Sequence, residues 1–324
     1  MTQTRRIARA KQAIEAHKAV YYKEGEYIRA DFWDYAEIFE IIDDMYQITG
    51  DPDYKAQIEE MYRFVLRTYK EIWEYNPYND DIMWLVIALT RATMLTGEEK
   101  YVQMAKVNYD LTFARAWDET YFDGGLWWKQ DEKRGKNSCV NCPGAIAACL
   151  LGQALKDESY FDKAKTIMAW QNKVLTNPAE GKVYDCINLE GKYNYWSSTY
   201  NQGTYIGANC LLYAHTGEEE YKKNAEKAAD YTMNEMYQGG IMNNEEWGND
   251  LPGFKGIMAR WLRLFALTFD RPEYMEWLQK NADAADANKN SKGLMQTRLG
   301  EKTEEIEYDV FTCSAAVSVC VNAI

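Results

Sequence analysis

Two adjacent aspartates stand at the start of an apolar segment. Asp80 and Asp81 follow Asn79 and directly precede the apolar run 82–89. The run predicts a buried helix with Asn79 as its N-cap and both acids in the first turn. Adjacent helical side chains diverge by about 100°, but in the first turn both can lean over the helix end. Retaining glycoside hydrolysis needs two carboxyls about 5–5.5 Å apart, whereas acids also simply favour the positive end of a helix.

The composition of the 324-residue chain excludes several classes of partner. A formal net charge of −13 argues against nucleic acid and anionic membrane surfaces, because phosphate binding requires clustered Lys and Arg. We expect no apolar stretch that approaches the roughly 18 residues of a membrane span. Eleven Trp and 25 Tyr offer aromatic faces for packing or for neutral sugars. Neither a Gly-x-Gly-x-x-Gly nor a Gly-x-x-x-x-Gly-Lys-Ser/Thr motif occurs, so we expect no bound cofactor.

The seven cysteines predict buried free thiols, because their number is odd and most lie in apolar helical runs. Cys139 and Cys142 form one Cys-x-x-Cys pair. A zinc site would need further ligands, and the only histidines are His17 and His215, so we expect no metal site. The chain opens without the charged and apolar regions of a secretory signal. The expectation is a cytoplasmic location, or secretion if a leader has been removed.

A recurring turn divides the chain into helix pairs. Thr49-Gly50, Thr96-Gly97 and Thr216-Gly217 each precede an acidic stretch that ends in tyrosine, and looser copies lie at 156–160 and 269–274. Mostly apolar segments, predicted to be buried helices, span 31–48, 79–95, 136–155, 201–215, 254–268 and 309–324. Amphipathic segments, predicted to be surface helices, alternate with them, for example 6–23, 54–69, 101–117 and 221–236.

Twelve helices in this alternation predict an all-α fold, the (α/α)6 barrel or six-hairpin toroid, with a single domain over residues 1–324. An open solenoid also alternates helix pairs, but its period would be tighter and its faces more alike. Long connections rich in aromatic residues and glycine lie at 117–128, 183–203, 238–256 and 292–309. We expect short hairpins at 183–196, turning at 189–192, and at 295–308. Long loops on a rigid scaffold form binding faces, so the acid pair is predicted to open onto this face.

Five segments carry a resemblance to a known family. They are Asn79-Asp80-Asp81-x-x-Trp84, Gly124-Gly125-Leu126-Trp127-Trp128, Lys136-Asn137, Tyr200-Asn201-Gln202-Gly203-Thr204-Tyr205-Ile206-Gly207-Ala208, and Phe254-Lys255-Gly256-Ile257 with Arg260. Together and in this order they resemble glycoside hydrolase family 76, the α-1,6-mannanases, over nearly the whole chain. The resemblance implies the same (α/α)6 barrel that the helix count predicts.

The resemblance also implies a retaining hydrolase of α-1,6-mannosidic or related α-linked glycans, with a mannan-like oligo- or polysaccharide as substrate. Asp80 would be the nucleophile and Asp81 the general acid/base. We expect a neutral Asp81 beside an ionised Asp80, because close like charges raise one of the two pKa values. Asp185 resembles a further acid of the family's site; its alternative is an ordinary hairpin aspartate.

Aromatic and amide side chains are predicted to contact the sugar. Trp127 and Trp128 should point in opposite directions, so that one stacks on substrate and the other packs in the core. Asn137, Asn201 and Gln202 suit hydroxyl recognition, because amides both donate and accept hydrogen bonds. Helix capping is the alternative, especially for Asn201.

Five further residues complete the predicted substrate site. Lys255 and Arg260 would clamp a substrate oxygen or pair with the site acids; surface ion pairs are the alternative. Tyr200 belongs to the matching Asn-Gln-Gly segment, and Trp33 would form a wall of the site or part of the core. The run 138–143 departs from the family's Thr-Asn-Glu segment: Asn141 keeps the asparagine and a substrate contact, but Cys142 replaces the acid, which would alter contacts with the sugar.

Three other functions fit parts of this pattern. One is a cell-wall glycan transglycosylase that uses the same site. Another is a different (α/α)6 sugar enzyme, such as an N-acylglucosamine epimerase or an unsaturated glucuronyl hydrolase, although epimerases use histidine pairs that this chain does not place in its long loops. The last is a non-catalytic glycan-binding barrel, which would not need Asp80 and Asp81. The sequence specifies neither endo nor exo action, nor an oligomeric state.

Overall fold

The computed structural model describes residues 1–23, 26–28, 30–245 and 250–324, and within these residues the chain forms twelve α-helices and nine short strands. The helices are α1 (Gln3–Tyr21), α2 (Phe32–Thr49), α3 (Pro52–Thr68), α4 (Asn79–Thr96), α5 (Glu99–Ala116), α6 (Ser138–Leu155), α7 (Glu158–Val174), α8 (Thr199–Thr216), α9 (Glu219–Glu235), α10 (Phe254–Thr268), α11 (Pro272–Ala287) and α12 (Val310–Asn322). Residues 246–249 of the predicted loop 238–256 lie outside the described residues.

The strands form small antiparallel sheets. They are β1 (Tyr22–Lys23), β2 (Glu26–Tyr27), β3 (Gly135–Asn137), β4 (Thr176–Asn177), β5 (Lys182–Val183), β6 (Cys186–Asn188), β7 (Tyr193–Asn194), β8 (Tyr237–Gln238) and β9 (Ile241–Met242). β6 pairs with both β3 and β7, so the predicted hairpin at 183–196 is confirmed and gains a third strand.

The predicted hairpin at 295–308 is wrong, because these residues contain no strand. Side chains and non-ladder bonds hold the segment instead. The N–H of Gln296 donates to Thr303 Oγ1 (3.1 Å), and the N–H of Thr303 donates to the carbonyl of Asn288 (2.7 Å).

Burial alternates along the helices as predicted. The even-numbered helices are buried over most of their length, whereas the odd-numbered helices bury one face and expose the other. This follows from the apolar and amphipathic segments that build them. The predicted ends of the buried helices lie within two residues of the observed ends; Lys136 and Asn137 lie in β3 rather than in α6.

The recurring turns end α2, α4 and α8 in the left-handed conformation. Gly50, Gly97 and Gly217 have φ of 64°, 79° and 71°, and each N–H donates to the carbonyl four residues earlier. Glycine adopts this conformation without strain from a Cβ. In the looser copies of the turn, Lys156 and Asp270 take positive φ values of 54° and 50°.

Residues 1–61 and 232–324 form one compact unit. Its most buried helix is α12, which packs against α1, α2, α10 and α11 and contains no charged residue. A buried ion cluster joins α10 to α2: Arg260 donates from Nε to Asp44 (2.9 Å) and from Nη1 to Glu37 (2.8 Å), with Glu40 at 3.3 Å. Arg260 is thus a buried structural cation of this unit, a role that the sequence did not predict.

Residues 62–231 form the second compact unit, in which α6 packs against α4, α5, α7 and α8. At 18 residues, α6 is the one described helix long and apolar enough to span a membrane. The expectation that the chain holds no such stretch is therefore wrong. Most of α6 is buried inside the protein, which is typical of a core helix.

We expect Arg260→Gln to lower the free energy of unfolding by about 3–5 kcal/mol, because three buried carboxylates would lose their cation. Urea denaturation at pH 7, followed by circular dichroism, measures this. The matched control is Arg271→Gln, which breaks a partly exposed pair with Glu273 and should cost less than about 1 kcal/mol. Equal losses in the two variants would contradict the structural role of the cluster.

Candidate active site

Asn79 fastens the segment 124–129 to the first turn of α4. It is the first helical residue and Tyr78 occupies the N-cap, so the prediction that Asn79 caps the helix is wrong. Its N–H donates to the carbonyl of Trp128 (2.9 Å), and its Nδ2 donates to the carbonyl of Trp127 (2.8 Å). Arg115 Nε in turn donates to Asn79 Oδ1 (2.7 Å). Three hydrogen bonds therefore hold Asn79, the residue directly before Asp80 and Asp81, in place.

Asp80 lies under the indole of Trp128, whose Nε1 donates to Oδ2 at 3.0 Å. Oδ1 is buried and accepts no hydrogen bond of ordinary geometry from a described residue. Burial raises the pKa of Asp80 to about 7, against the opposing effects of Trp128, the Cys139 thiol and the backbone N–H groups of Asp80 and Asp81. The sequence predicts the raised pKa at Asp81, whereas in the structure the pKa of Asp80 is raised.

Asp81 is oriented by a neutral amide. Asn76 Nδ2 donates to Asp81 Oδ2 at 3.0 Å. Asn76 is itself buried and fixed, since its Oδ1 accepts from the N–H of Tyr78 (2.9 Å) and its carbonyl accepts from Arg115 Nη2 (2.7 Å). Asn76 is not among the predicted site residues. Its position in the short segment before the acid pair is the sequence feature that indicates such a role.

Asp185 is a third carboxylate, held between the β6–β7 hairpin and α8. It accepts from Asn194 Nδ2 (2.9 Å) and from Asn201 Nδ2 (3.4 Å). Burial raises the pKa of Asp185, while Cys186 and the two amides lower it. Asn201 is not the helix cap that was weighed as its alternative, because Ser198 occupies the N-cap of α8.

Cys139 and Tyr200 lie close to the charges of Asp80 and Asp185. The Cys139 thiol contacts both the Asp80 carboxylate and the Tyr200 hydroxyl. Burial, followed by the nearby charges, raises the pKa of both groups well above their usual ranges, so both stay neutral. Tyr200 also stacks on Trp84 at 6.3 Å. The first turns of α4, α6 and α8 thereby bring Asp80, Asp81, Cys139, Tyr200, Asn201 and Asp185 together.

All seven cysteines are free thiols and six are buried, as predicted. No further role for Cys139 is predicted from the sequence, because its position in the first turn of α6 becomes informative only when α4 and α8 are placed. Cys142, which departs from the family's pattern, is fully buried against Thr204. It therefore exposes no atom that a sugar could contact.

Trp127 and Trp128 point in opposite directions, as predicted: the side chains are 1% and 37% exposed. Trp127 packs under Lys136, whose Nζ lies 4.8 Å from the ring. Lys136 Nζ also donates to the carbonyls of Asp118 (2.5 Å), Tyr121 (2.7 Å) and Gly124 (2.5 Å). Burial lowers the pKa of Lys136 to about 8. The buried ammonium therefore fixes the loop that carries both tryptophans.

Gly125 makes the turn of this loop possible. Its φ is 93°, and a Cβ there would lie 2.6 Å from the Trp170 ring. Only glycine satisfies both the backbone conformation and the close approach.

Asn141 and Gln202, predicted to bind sugar, are buried and hold loop backbone. Asn141 Oδ1 accepts from the N–H of Leu126 (2.9 Å), and its Nδ2 donates to the carbonyl of Asn137 (2.8 Å). Gln202 Oε1 accepts from the N–H of Val183 (2.5 Å), and its Nε2 donates to the carbonyls of Gly181 and Ala228, each at 3.1 Å. Asn137 is half-buried at the N-cap of α6 and makes no side-chain capping bond.

Three predicted site residues belong to the first unit. Lys255 is fully buried and donates to the carbonyl of Thr297 (2.6 Å) and to Asn244 Oδ1 (3.2 Å). Trp33 packs against Phe311 at 4.5 Å, which confirms its core alternative. Arg260 lies in the ion cluster described above. The surface ion pairs weighed for Lys255 and Arg260 are therefore wrong.

The chain is similar to known proteins in both sequence and structure. The sequence model of glycosyl hydrolase family 76 matches residues 7–323. The structure of the GH76A α-1,6-mannanase from Salegentibacter sp. HEL1_6 is similar over 98% of each chain, with 29% identity and a TM-score of 0.91. An inactive variant of that mannanase, with two adjacent aspartates replaced by alanine and α-1,6-mannotetrose bound, matches with the same values. The Lin0763 protein from Listeria innocua is similar over 98% of this chain and 96% of its own, with 25% identity and a TM-score of 0.89.

No protein with a curated description matches the chain significantly. The family match and the structural similarity confirm the predicted all-α (α/α)6-barrel fold class. They also confirm that the protein is a glycoside hydrolase. The chain belongs to glycosyl hydrolase family 76.

Proposed function

We propose that the protein is a retaining glycoside hydrolase that cleaves α-1,6-linked mannose oligosaccharides or mannan at Asp80 and Asp81. The observation that carries this proposal is the pair itself: two adjacent carboxyls in one helical turn, one accepting from an indole N–H and the other held by a neutral amide. The similar mannanase, whose variant lacking two adjacent aspartates is inactive and binds α-1,6-mannotetrose, supports both the pair and the substrate.

The two adjacent carboxyls titrate as a pair, and the reactive state of the pair carries one proton, on Asp81. In the first step, Asp81 donates this proton to the glycosidic oxygen while an oxygen of ionised Asp80 attacks the anomeric carbon. The bond to the leaving sugar breaks and a glycosyl–Asp80 ester forms. In the second step, Asp81 accepts a proton from water, and the water oxygen attacks the anomeric carbon. The ester bond breaks, Asp80 is released as a carboxylate and the anomeric configuration is retained.

The surroundings of Asp80 suit both steps. Burial keeps its pKa near 7, which makes the carboxylate more basic than an exposed one. The indole of Trp128, the thiol of Cys139 and the N-terminus of α4 stabilise the same carboxylate when it leaves in the second step. Asp185, which Asn201 Nδ2 holds in place, supplies an acceptor for sugar hydroxyls. The exposed ring of Trp128 offers a face for the sugar to stack on.

We expect Asp80→Asn and Asp81→Asn each to reduce cleavage of α-1,6-mannotetraose and debranched α-1,6-mannan by about 10³-fold or more, because each loses a nucleophile or a proton donor. Release of reducing sugar measures this. The matched control is Asp123→Asn, an exposed acid of the same unit that pairs with Lys173, which should retain full activity. Wild-type levels in either folded catalytic variant, or no cleavage by wild type, would rule the proposal out.

We expect kcat/KM to fall as the pH drops through about 7, because Asp80 attacks only when ionised. Trp128→Phe removes a hydrogen bond that favours the charged form, so the pKa rises. The acidic limb of the profile should then move to higher pH by roughly half to one unit, after allowance for partial solvent exposure.

Rates of α-1,6-mannotetraose cleavage between pH 4 and 9 measure this shift. Trp117→Phe is the matched control, since the Trp117 indole donates to an exposed acid, Glu119, at 3.1 Å; its limb should not move. A Trp128→Phe enzyme that loses the same factor at every pH would show that the indole serves only as a stacking surface.

A further inference from the structure

We propose that Tyr193, Tyr195 and Trp196 form an aromatic platform that binds mannose units lying beyond those held at Asp80 and Asp81, so that the enzyme favours longer chains. This inference rests on the proposed function and adds a distal binding surface to it. The occupant is a further stretch of the same uncharged glycan.

The platform is preformed. The rings of Tyr193 and Tyr195 stack at 5.3 Å with 11° between their planes. Tyr184 meets Tyr195 edge-on at 4.8 Å and also contacts Tyr193 at 6.2 Å. Tyr184 itself packs on the buried cluster of Trp170, Val174, Leu175 and Ile187. The exposed rings are therefore anchored to the core of their unit, so binding would order few additional groups.

The platform is exposed as well as ordered. Tyr195 is 56% exposed, Trp196 41% and Tyr193 37%. The two stacked tyrosines form an exposed aromatic patch, the kind of feature that marks a binding surface, and Trp196 adds a third exposed ring next to them in sequence. The charged residues of the hairpin turn, Glu190 and Lys192, pair with each other at 2.7 Å. What remains is an uncharged aromatic face, which suits the C–H faces of a neutral sugar.

The platform lies on the chain segment that holds Asp185. Asn194, which stands between the two tyrosines in sequence, donates to Asp185, which also accepts from Asn201. After Trp196, the Ser197 hydroxyl donates to Gln202 Oε1 (3.3 Å), and Ser198 is the N-cap of α8. The segment that carries the three aromatic residues therefore runs from the hydrogen-bond donor of Asp185 to the start of α8. This continuity with the site favours a glycan chain that extends from the acid pair as the occupant.

The test is the dependence of kcat/KM on substrate length, from α-1,6-mannobiose to mannohexaose. We expect Tyr195→Ala and Trp196→Ala to lose about fivefold to tenfold on the longest substrate and less than twofold on the shortest one cleaved. Tyr195→Phe, which keeps the ring, should behave as wild type. Tyr237→Ala is the matched control, because Tyr237 also lies on a two-stranded hairpin and is 52% exposed.

Two outcomes would overturn the aromatic platform, and a third would overturn the proposed function on which it rests. Equal losses at every length would show that the hairpin only positions Asp185, and no loss at any length would show that the rings do not bind substrate. If wild type cleaves none of these sugars, the proposed function fails. Calorimetric titration of wild type with the same sugars then decides the platform: affinity that rises with length and is lost in Tyr195→Ala supports it, and absence of binding overturns it.

Discussion

Asn79 holds the carbonyls of Trp127 and Trp128 through its backbone N–H and its side-chain amide, and the acid pair depends on these two hydrogen bonds. Both hydrogen bonds are buried, and leaving a buried amide unsatisfied costs about 1–3 kcal/mol. This cost stabilises the packing of the segment against α4. Lys136 holds the same loop from its other side through three carbonyls. If the segment moved, the Trp128 indole would leave Asp80, and the balance between burial and hydrogen bonding that sets its pKa would change.

The buried polar residues and the half-exposed residues of the site have different roles. Long loops that pass through buried space must satisfy their backbone N–H and C=O groups. The side chains of Asn141, Gln202 and Lys136 satisfy these groups by forming hydrogen bonds with the loop backbone. The residues left to meet a sugar are those at the first turns of α4, α6 and α8 and on the β6–β7 hairpin. The buried polar residues therefore position the site, and the half-exposed residues around them provide its chemistry.

The sequence predicts the parts of this structure that depend on local patterning. Apolar and amphipathic segments predict the alternating helices, Thr-Gly turns predict their ends, and alternation predicts that one of Trp127 and Trp128 is buried and the other exposed. Long-range pairing is not predicted. Arg260 reads as a possible substrate clamp, because nothing local reveals that its carboxylate partners are more than 200 residues away in sequence. Cys139 gains its role only when the first turns of α4, α6 and α8 come together, and Asn76 gains its role only when the segment before α4 is placed against Asp81. The segment 295–308 has the sequence pattern of a hairpin, but its backbone bonds to side chains instead of forming strands.

The central claim is that Asp80 forms a covalent ester and Asp81 serves as acid and then base. The most direct test is the anomeric configuration of the first product, followed by proton NMR as the enzyme cleaves α-1,6-mannotetraose in D2O. If Asp80 is the nucleophile, the new reducing end appears first as the α-anomer and then equilibrates by mutarotation. Appearance of the β-anomer first would mean a single inverting displacement by water, and would contradict the assignment of Asp80 as nucleophile.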